Sequence, residues 1–182
     1  MVCLKKIYII RHCEAEGQPS EAQLTDIGLK QAIDLSGFFS DIKIDRIISS
    51  PYKRAIQSIQ PLAKRLNVEI EVDRQLTERI LSTKNLPDWF EKLRATFEDT
   101  KLKFEGGESS QEAMKRIVKV VEKVFNSDIE NTIIVTHGNL LSLLLNYINK
   151  DFGFDDWQNL SNPDVFLLKK ESNIVTYERL WK

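Results

Sequence analysis

Three times along the chain an apolar run stops abruptly in polar residues: "IYIIRH" at 7–12, "RIISSPYKR" at 46–54 and "IIVTHG" at 133–138. A short continuous apolar run bounded by turn signals is the pattern of a strand covered on both faces, the kind that fills parallel sheets. Each run is followed by a helical pattern: "TDIGLKQAIDLSGFFS" (25–40) with Thr25 as N-cap, "PYKRAIQSIQPLAKRL" (51–66) with Pro51 in its first turn, and "GNLLSLLLNYI" (138–148). Such alternation predicts an α/β fold, a three-layer α/β/α sandwich around a largely parallel central sheet.

The other segments fit that frame. "VEIEV" (68–72) alternates like a strand, and "ESSQEAMKRIVKVVEKVF" (108–125) reads as a well-capped amphipathic helix. "VFLLKK" and "NIVTYERL" read as two closing strands around a turn at "ESN". Pro61 is expected to kink or divide its helix. Positions 79–105 are irregular, with a short helix around "LPDWFEKLRATF", and read as a small cap on a single domain spanning 1–182.

Composition narrows the partners. A net charge of −1 gives no global attraction to nucleic acid or to an acidic membrane, so affinity for an anion has to come from a local cluster. No apolar run is long enough to cross a bilayer, and "MVCLKKIYII", with two lysines and no cleavage site, reads as a strand instead of an export signal. The two cysteines, Cys3 and Cys13, lack metal-ligand spacing and suit the reducing cytoplasm.

In open α/β sheets the ligand crevice lies beyond the carboxyl ends of the strands. The three runs place Arg11, His12, Arg54 and His137 just past such ends, and these are the chain's only two histidines. Two guanidinium forks and two helix N-termini, near Pro51 and Gly138, point to an anion as ligand, a phosphoryl group above all. Taken alone, a histidine at a strand end is more often a hydrogen-bonded structural residue, and Arg54 more often a solvated one. Two histidines at equivalent ends, each beside an anion-binding element, argue for a shared site.

The motifs resemble those of the histidine phosphatase superfamily, which includes phosphoglycerate mutases and many small phosphatases. "RHCEAEGQ" is similar to that family's Arg-His-Gly-Glu opening, "LTDIGLKQA" to its Leu-Thr-x-x-Gly-x-x-Gln-Ala segment, and "SSPYKRAIQS" to Ser-Ser-Pro-x-x-Arg-Ala-x-Gln-Thr. "LTER", "GGES" and "VTHG" complete a series in the family's order over nearly the whole chain. The resemblance implies a phosphoglycerate mutase-like fold and a metal-independent phosphomonoesterase without cofactor, acting on a small phosphorylated metabolite. It makes His12 the nucleophile, with Arg11, Arg54 and His137 around the phosphoryl oxygens and Glu78 as proton donor and acceptor. Gln18 and Asn139 become further phosphate donors.

Two departures stand out. Cys13 occupies the position where the family has glycine, and "RILSTKNLPDWF" lacks the glycines that follow the family's acid, which implies an altered course for the loop carrying Glu78. Cys13 is not followed by a phosphate-cradling loop ending in arginine, so it reads as a wall residue. Glu78 has a plainer reading as a surface acid paired with Arg74 or Arg79.

The mutase branch carries an arginine-rich segment soon after the acid, whereas here only Arg79 and Lys84 precede Pro87, which favours a phosphatase. A phosphate-binding module without turnover, and a metallohydrolase, are the readings from other classes; the second lacks a His-Glu-x-x-His arrangement. In the cap, Trp89, Phe90, Phe97 and Phe104 alternate with Lys92, Arg94, Lys101 and Lys103. They either select the substrate or pack the cap, with the cations solvated.

Overall fold

The computed structural model describes residues 4–182. Cys3 lies outside the described residues, as does the start of "MVCLKKIYII". In chain order the elements are β1 (Lys6–Arg11), α1 (Asp26–Phe38), β2 (Arg46–Ser49), α2 (Lys53–Leu66), β3 (Ile70–Val72), α3 (Trp89–Glu98), α4 (Ser110–Phe125), β4 (Asn131–Thr136), α5 (Gly138–Ile148), α6 (Phe154–Gln158), β5 (Asp164–Glu171) and β6 (Ile174–Arg179). The strands form one sheet in the order β3-β2-β4-β1-β5-β6. The first four run parallel, and the C-terminal hairpin joins β1 antiparallel.

Period-2 alternation divides each strand between two cores. Ile7 and Ile9 of β1, Ile48 of β2, Ile134 of β4 and Phe166 and Leu168 of β5 pack with α4 and α5 on one face. Tyr8, Ile10, Ile47, Ile133, Val135, Val165 and Leu167 pack with α1 and α2 on the other. This is the expected three-layer sandwich, and it explains why the strand runs are apolar throughout: both faces are covered.

Helix ends follow their sequence signals. Thr25 Oγ1 accepts the Gly28 N–H at the start of α1, and Ser109 with Glu112 closes a reciprocal capping box on α4. The hairpin turns through Ser172 and Asn173, both at positive φ (48° and 66°), as a two-residue loop between right-twisted strands requires. Two expectations need correction. Pro51 stands outside α2, whose N-cap is Tyr52, and Pro61 does not divide the helix, which runs unbroken for 14 residues. Losing the N–H of Pro61 removes one helical hydrogen bond, whereas Ala55, Ile59, Leu62 and Ala63 bury a full apolar face. α6 has no counterpart in the sequence reading, and "VEIEV" yields only three strand residues.

None of the helices among the described residues is long and apolar enough to cross a membrane.

Candidate active site

β1, β2 and β4 are in register, with Arg11 beside Thr136 and Ser49 beside Val135. The residues that follow each strand therefore emerge along one edge of the sheet. The His12 and His137 rings meet edge to face with centroids 5.2 Å apart.

Hydrogen bonding fixes the His12 tautomer. Nδ1 lies 2.7 Å from the Cys13 carbonyl oxygen, which only accepts, while Nε2 lies 3.2 Å from Arg54 Nε, which only donates. The proton therefore sits on Nδ1, and Nε2 carries a lone pair. Burial pushes the ring's pKa down to about 3; the Cys13 hydrogen bond opposes this, and the charges of Arg54 and Arg11 add to it. The imidazole stays neutral at any ordinary pH.

His137 is fully buried, and its Nε2 lies 2.7 Å from Ser50 Oγ. Ser50 Oγ also accepts the Tyr52 N–H, which ties the imidazole to the turn that starts α2. Burial holds this ring well below the ordinary histidine range, with His12, Arg54, Arg116 and Arg11 adding to the effect.

Arg54 is 1% exposed, and its Nη1 donates to the carbonyls of Gln18 and Pro19. Gln18 thus holds the arginine through its backbone, and the residue lines the cavity. Arg11 Nη1 donates to the Leu160 carbonyl. Gly138 lets Arg11 pass, since a Cβ there would lie 2.9 Å from Nε and 3.0 Å from Cζ. Burial lowers the pKa of both guanidinium groups, with Glu78 opposing most strongly.

Glu78 sits at the N-terminus of α5, where its Oε2 accepts the Asn139 N–H (3.0 Å) and its Oε1 those of Leu140 (2.9 Å) and Arg79 (2.8 Å). It is not paired with the side chain of Arg74 or Arg79. A carboxylate offers about four lone-pair sites, so one site remains, on Oε2. The loop around it is gripped from α4. Arg116 donates to the carbonyls of Gln75 and Glu78 and pairs with Glu108 at 2.6 Å, and the Glu108 carbonyl accepts from Arg79 Nε. Glu108 is thereby committed to holding the loop.

Sequence reasoning did not place Arg79 in the site. The residue is 6% exposed, its Nη1 reaches Thr96 Oγ1 and Asn139 Oδ1 (both 3.4 Å), and it lines the same cavity as Arg11, Arg54 and Asn139. Its position directly after Glu78 was the available signal. Five buried side-chain polar atoms among the described residues have no partner, and four are here: Arg11 Nε, His137 Nδ1, Asn139 Nδ2 and Arg79 Nη2. Arg11 Nε, Asn139 Nδ2 and Arg79 Nη2 are donors, which is the complement of an anion.

The cavity measures about 980 Å³ and is roofed by residues 80–86 and Trp89. Gly107 allows this roof to descend, because a Cβ there would meet the Leu81 carbonyl oxygen at 2.1 Å. The cap residues divide between the two roles left open by the sequence. Trp89 lines the cavity, whereas Phe90 and Phe97 pack on Phe154 of α6. Lys92 pairs with Asp88, Lys103 with Glu112, and Arg94 lies over Phe154. Cys13 is fully buried in the α1/α2 core, and burial pushes its thiol up to about 11.

Comparison with known proteins agrees with this arrangement. Residues 7–172 match the sequence profile of the histidine phosphatase superfamily (branch 1). A curated relative named putative phosphoserine phosphatase 2, from Hydrogenobacter thermophilus, is 27% identical over 158 residues, 78% of this chain and 77% of the relative. The complex of a mycobacterial glucosyl-3-phosphoglycerate phosphatase with inorganic phosphate superposes with a TM-score of 0.78 at 20% identity, covering 97% of this chain and 96% of that one. A phosphoglycerate mutase from Bacillus anthracis superposes at 0.77 with 16% identity, covering 98% and 93%.

Proposed function

The chain belongs to the histidine phosphatase superfamily, and on that premise we propose that it is a phosphomonoester hydrolase working through a phosphohistidine on His12. The observation that carries this reading is the unprotonated Nε2 of a neutral, buried His12, held by Arg54 and set among three unpartnered buried donors. A phosphoryl group seated against Arg11, Arg54, His137 and Asn139 satisfies the unpaired donors of Arg11 and Asn139, and the site's donors stabilise the charge spread over its oxygens in the transition state.

The reaction has two halves. In the first, His12 Nε2 forms a bond to phosphorus as the bond to the ester oxygen breaks, and Glu78 Oε2 gives its proton to the departing alcohol. In the second, Glu78 Oε2 takes a proton from water, the water oxygen bonds to phosphorus, and the N–P bond breaks to restore the Nε2 lone pair. Among the cavity-lining residues only Arg11, Arg54, Arg79 and Lys84 are cationic, so the chain itself supplies the charge that a phosphate dianion needs.

Small phosphorylated metabolites are the substrate class, as the names of the relatives suggest. A mutase reading is disfavoured by the roof, which contributes only Lys84 as a cation beyond Arg79. The test is turnover of an aryl phosphate in excess chelator, comparing the wild type with His12→Ala. Release of inorganic phosphate by the wild type alone is expected. Tight phosphate binding without turnover would make the chain a sensor, and loss of turnover with chelator would make it a metal enzyme.

A further inference from the structure

We infer that the outer half of the cavity is a leaving-group subsite for a flat, apolar alcohol. The substrate is then a phosphomonoester of an aromatic or otherwise hydrophobic alcohol, not of a polyol or an amino acid. This rests on the phosphatase reading and adds the chemistry of the group that leaves.

The cavity has two unlike kinds of wall. The strand ends and α5 bring Arg11, Arg54 and Asn139, while the roof, α3 and α6 bring Ile80, Leu81, Leu86, Trp89, Leu93 and Trp157, with Ser82, Thr83, Lys84 and Asn85 between Leu81 and Leu86. At about 980 Å³ it is at the upper end of the range for sites that enclose a drug-sized ligand, far more than a phosphate group requires. Trp89 is 51% exposed and Ile80 46%. Trp89 touches the cap's aromatic cluster of Phe90, Phe97, Phe154 and Trp157 only edge-on through Phe90, at 5.6 Å between centroids, and half of its surface stays open. Large apolar surface left open on the wall of a polar site is what an apolar ligand covers.

The two hydroxyls of the roof are already engaged. Ser82 Oγ donates to the Glu105 carbonyl (2.7 Å) and accepts the Lys84 N–H (3.0 Å), and Thr83 Oγ1 donates to the same carbonyl (3.4 Å). A polyol would therefore find neither hydroxyl free to donate, and desolvating its own hydroxyls would have to be offset by Gln18, Tyr52 or Asn85. The only carboxylate on the cavity wall is Glu78, whose oxygens receive three backbone N–H groups. The ammonium of a phosphoamino acid would face Arg11, Arg54, Arg79 and Lys84, with only the one open site on Glu78 Oε2, which the proton transfer itself uses, to receive it. A flat apolar group meets neither penalty.

The test compares esters whose leaving groups have the same intrinsic reactivity. The full chain is assayed with 2-(2-naphthyl)ethyl phosphate and with ethyl phosphate, both esters of primary alcohols, alongside phosphoserine and glycerol phosphate. Burying a bicyclic aromatic group predicts kcat/KM on the order of 100-fold higher for the naphthylethyl ester than for the ethyl ester. Leu86→Ser and Trp157→Ala should each lower that ratio at least about tenfold. Because Trp157 also packs on Phe154, the Leu86 variant keeps the test independent of cap stability. Binding of naphthylmethylphosphonate against methylphosphonate to the wild type, by calorimetry, gives a readout that needs no turnover.

Equal efficiencies for the two alkyl esters, or a preference for phosphoserine or glycerol phosphate, would overturn the subsite and leave the phosphatase reading standing. Failure to hydrolyse any of the four esters, with naphthylmethylphosphonate still bound at least about tenfold more tightly, would instead sink the phosphatase reading and keep the apolar subsite.

Discussion

Arg54 Nε donates to His12 Nε2 at 3.2 Å, so in the free protein the guanidinium covers the lone pair that is to attack phosphorus. An arriving phosphoryl group competes for that guanidinium and exposes Nε2 in the same event. Arg54→Met should therefore have two opposite effects. Turnover should fall by about 10²- to 10³-fold, as for loss of one preorganised donor. Acylation of His12 by diethyl pyrocarbonate, followed by peptide mass, should become faster than in the wild type. Slower acylation would show that Arg54 does not mask the nitrogen.

The same residue carries a stability prediction. Arg54 is 1% exposed and its Nη1 serves two carbonyls, so Arg54→Ala strands the acceptors of Gln18 and Pro19 and should destabilise by about 1–3 kcal/mol in urea titrations. An unchanged midpoint would mean that water replaces the guanidinium at no cost.

Glu78→Gln separates the proton carrier from the nucleophile. An amide cannot donate the catalytic proton, so alkyl phosphates should react slowly, whereas nitrophenyl phosphate, whose leaving group departs as a stable anion, should still phosphorylate His12. Hydrolysis would lack its base, and an acid-labile adduct should accumulate in intact-mass spectra after an alkaline rapid quench. Wild-type rates on both ester classes would assign the proton to another group. The variant should also lose about 0.5–2 kcal/mol of stability, because the carboxylate caps α5 and an amide nitrogen facing those N–H groups does not.

The histidines make stability depend on pH. His12 falls from an ordinary 6.5 to about 3 in the folded chain, and His137 is also well below 6.5, so the unfolded chain binds more protons between these values. Stability is then fully present above about pH 6.5 and drains away as pH falls. His12 should remove about 2 kcal/mol between roughly pH 7 and pH 5, and His137 acts in the same direction. In His12→Asn the total loss should shrink by about 2 kcal/mol, measured by urea unfolding at each pH. Parallel curves for wild type and variant would show an unperturbed His12. No limb from His12 should appear in the activity profile above about pH 5, although the ester's own ionisation near pH 6 will.

Gly138→Ala tests the passage of Arg11. The new methyl group would meet a flexible side chain and no backbone, so the fold should tolerate it while Arg11 Nε is pushed off the phosphate position. Activity should fall at least about tenfold with little change in Tm. If Tm dropped and the activity of the folded fraction stayed normal, Arg11 would not be a phosphate donor.

The parts of this protein visible in its sequence are those set by local pattern. Strand ends bearing Arg11, His12 and His137 were legible because both sheet faces are covered and the apolar runs stop where the helices begin. Pro61 misled because proline propensity is local, whereas the buried face that carries the helix across it is tertiary. Gln18 and Asn139 were placed in the site, but their backbone bonds to Arg54 and Glu78 have no composition signal. Arg79 and the tether through Glu108 and Arg116 were missed for the same reason. An arginine buried by partners 17 and 60 positions away looks, in the sequence, like any other charged residue.

The phosphate end of the cavity is assembled from strands and helices scattered along the chain, but its roof is one uninterrupted stretch, residues 80–86 with Trp89 close behind. That stretch is pinned at Ile80 by Glu108 and at Thr83 by Glu105, and it contributes no strand to the sheet. The roof is therefore a transplantable cassette. Exchanging it between relatives would rewrite which alcohol is accepted while leaving the chemistry of its release untouched.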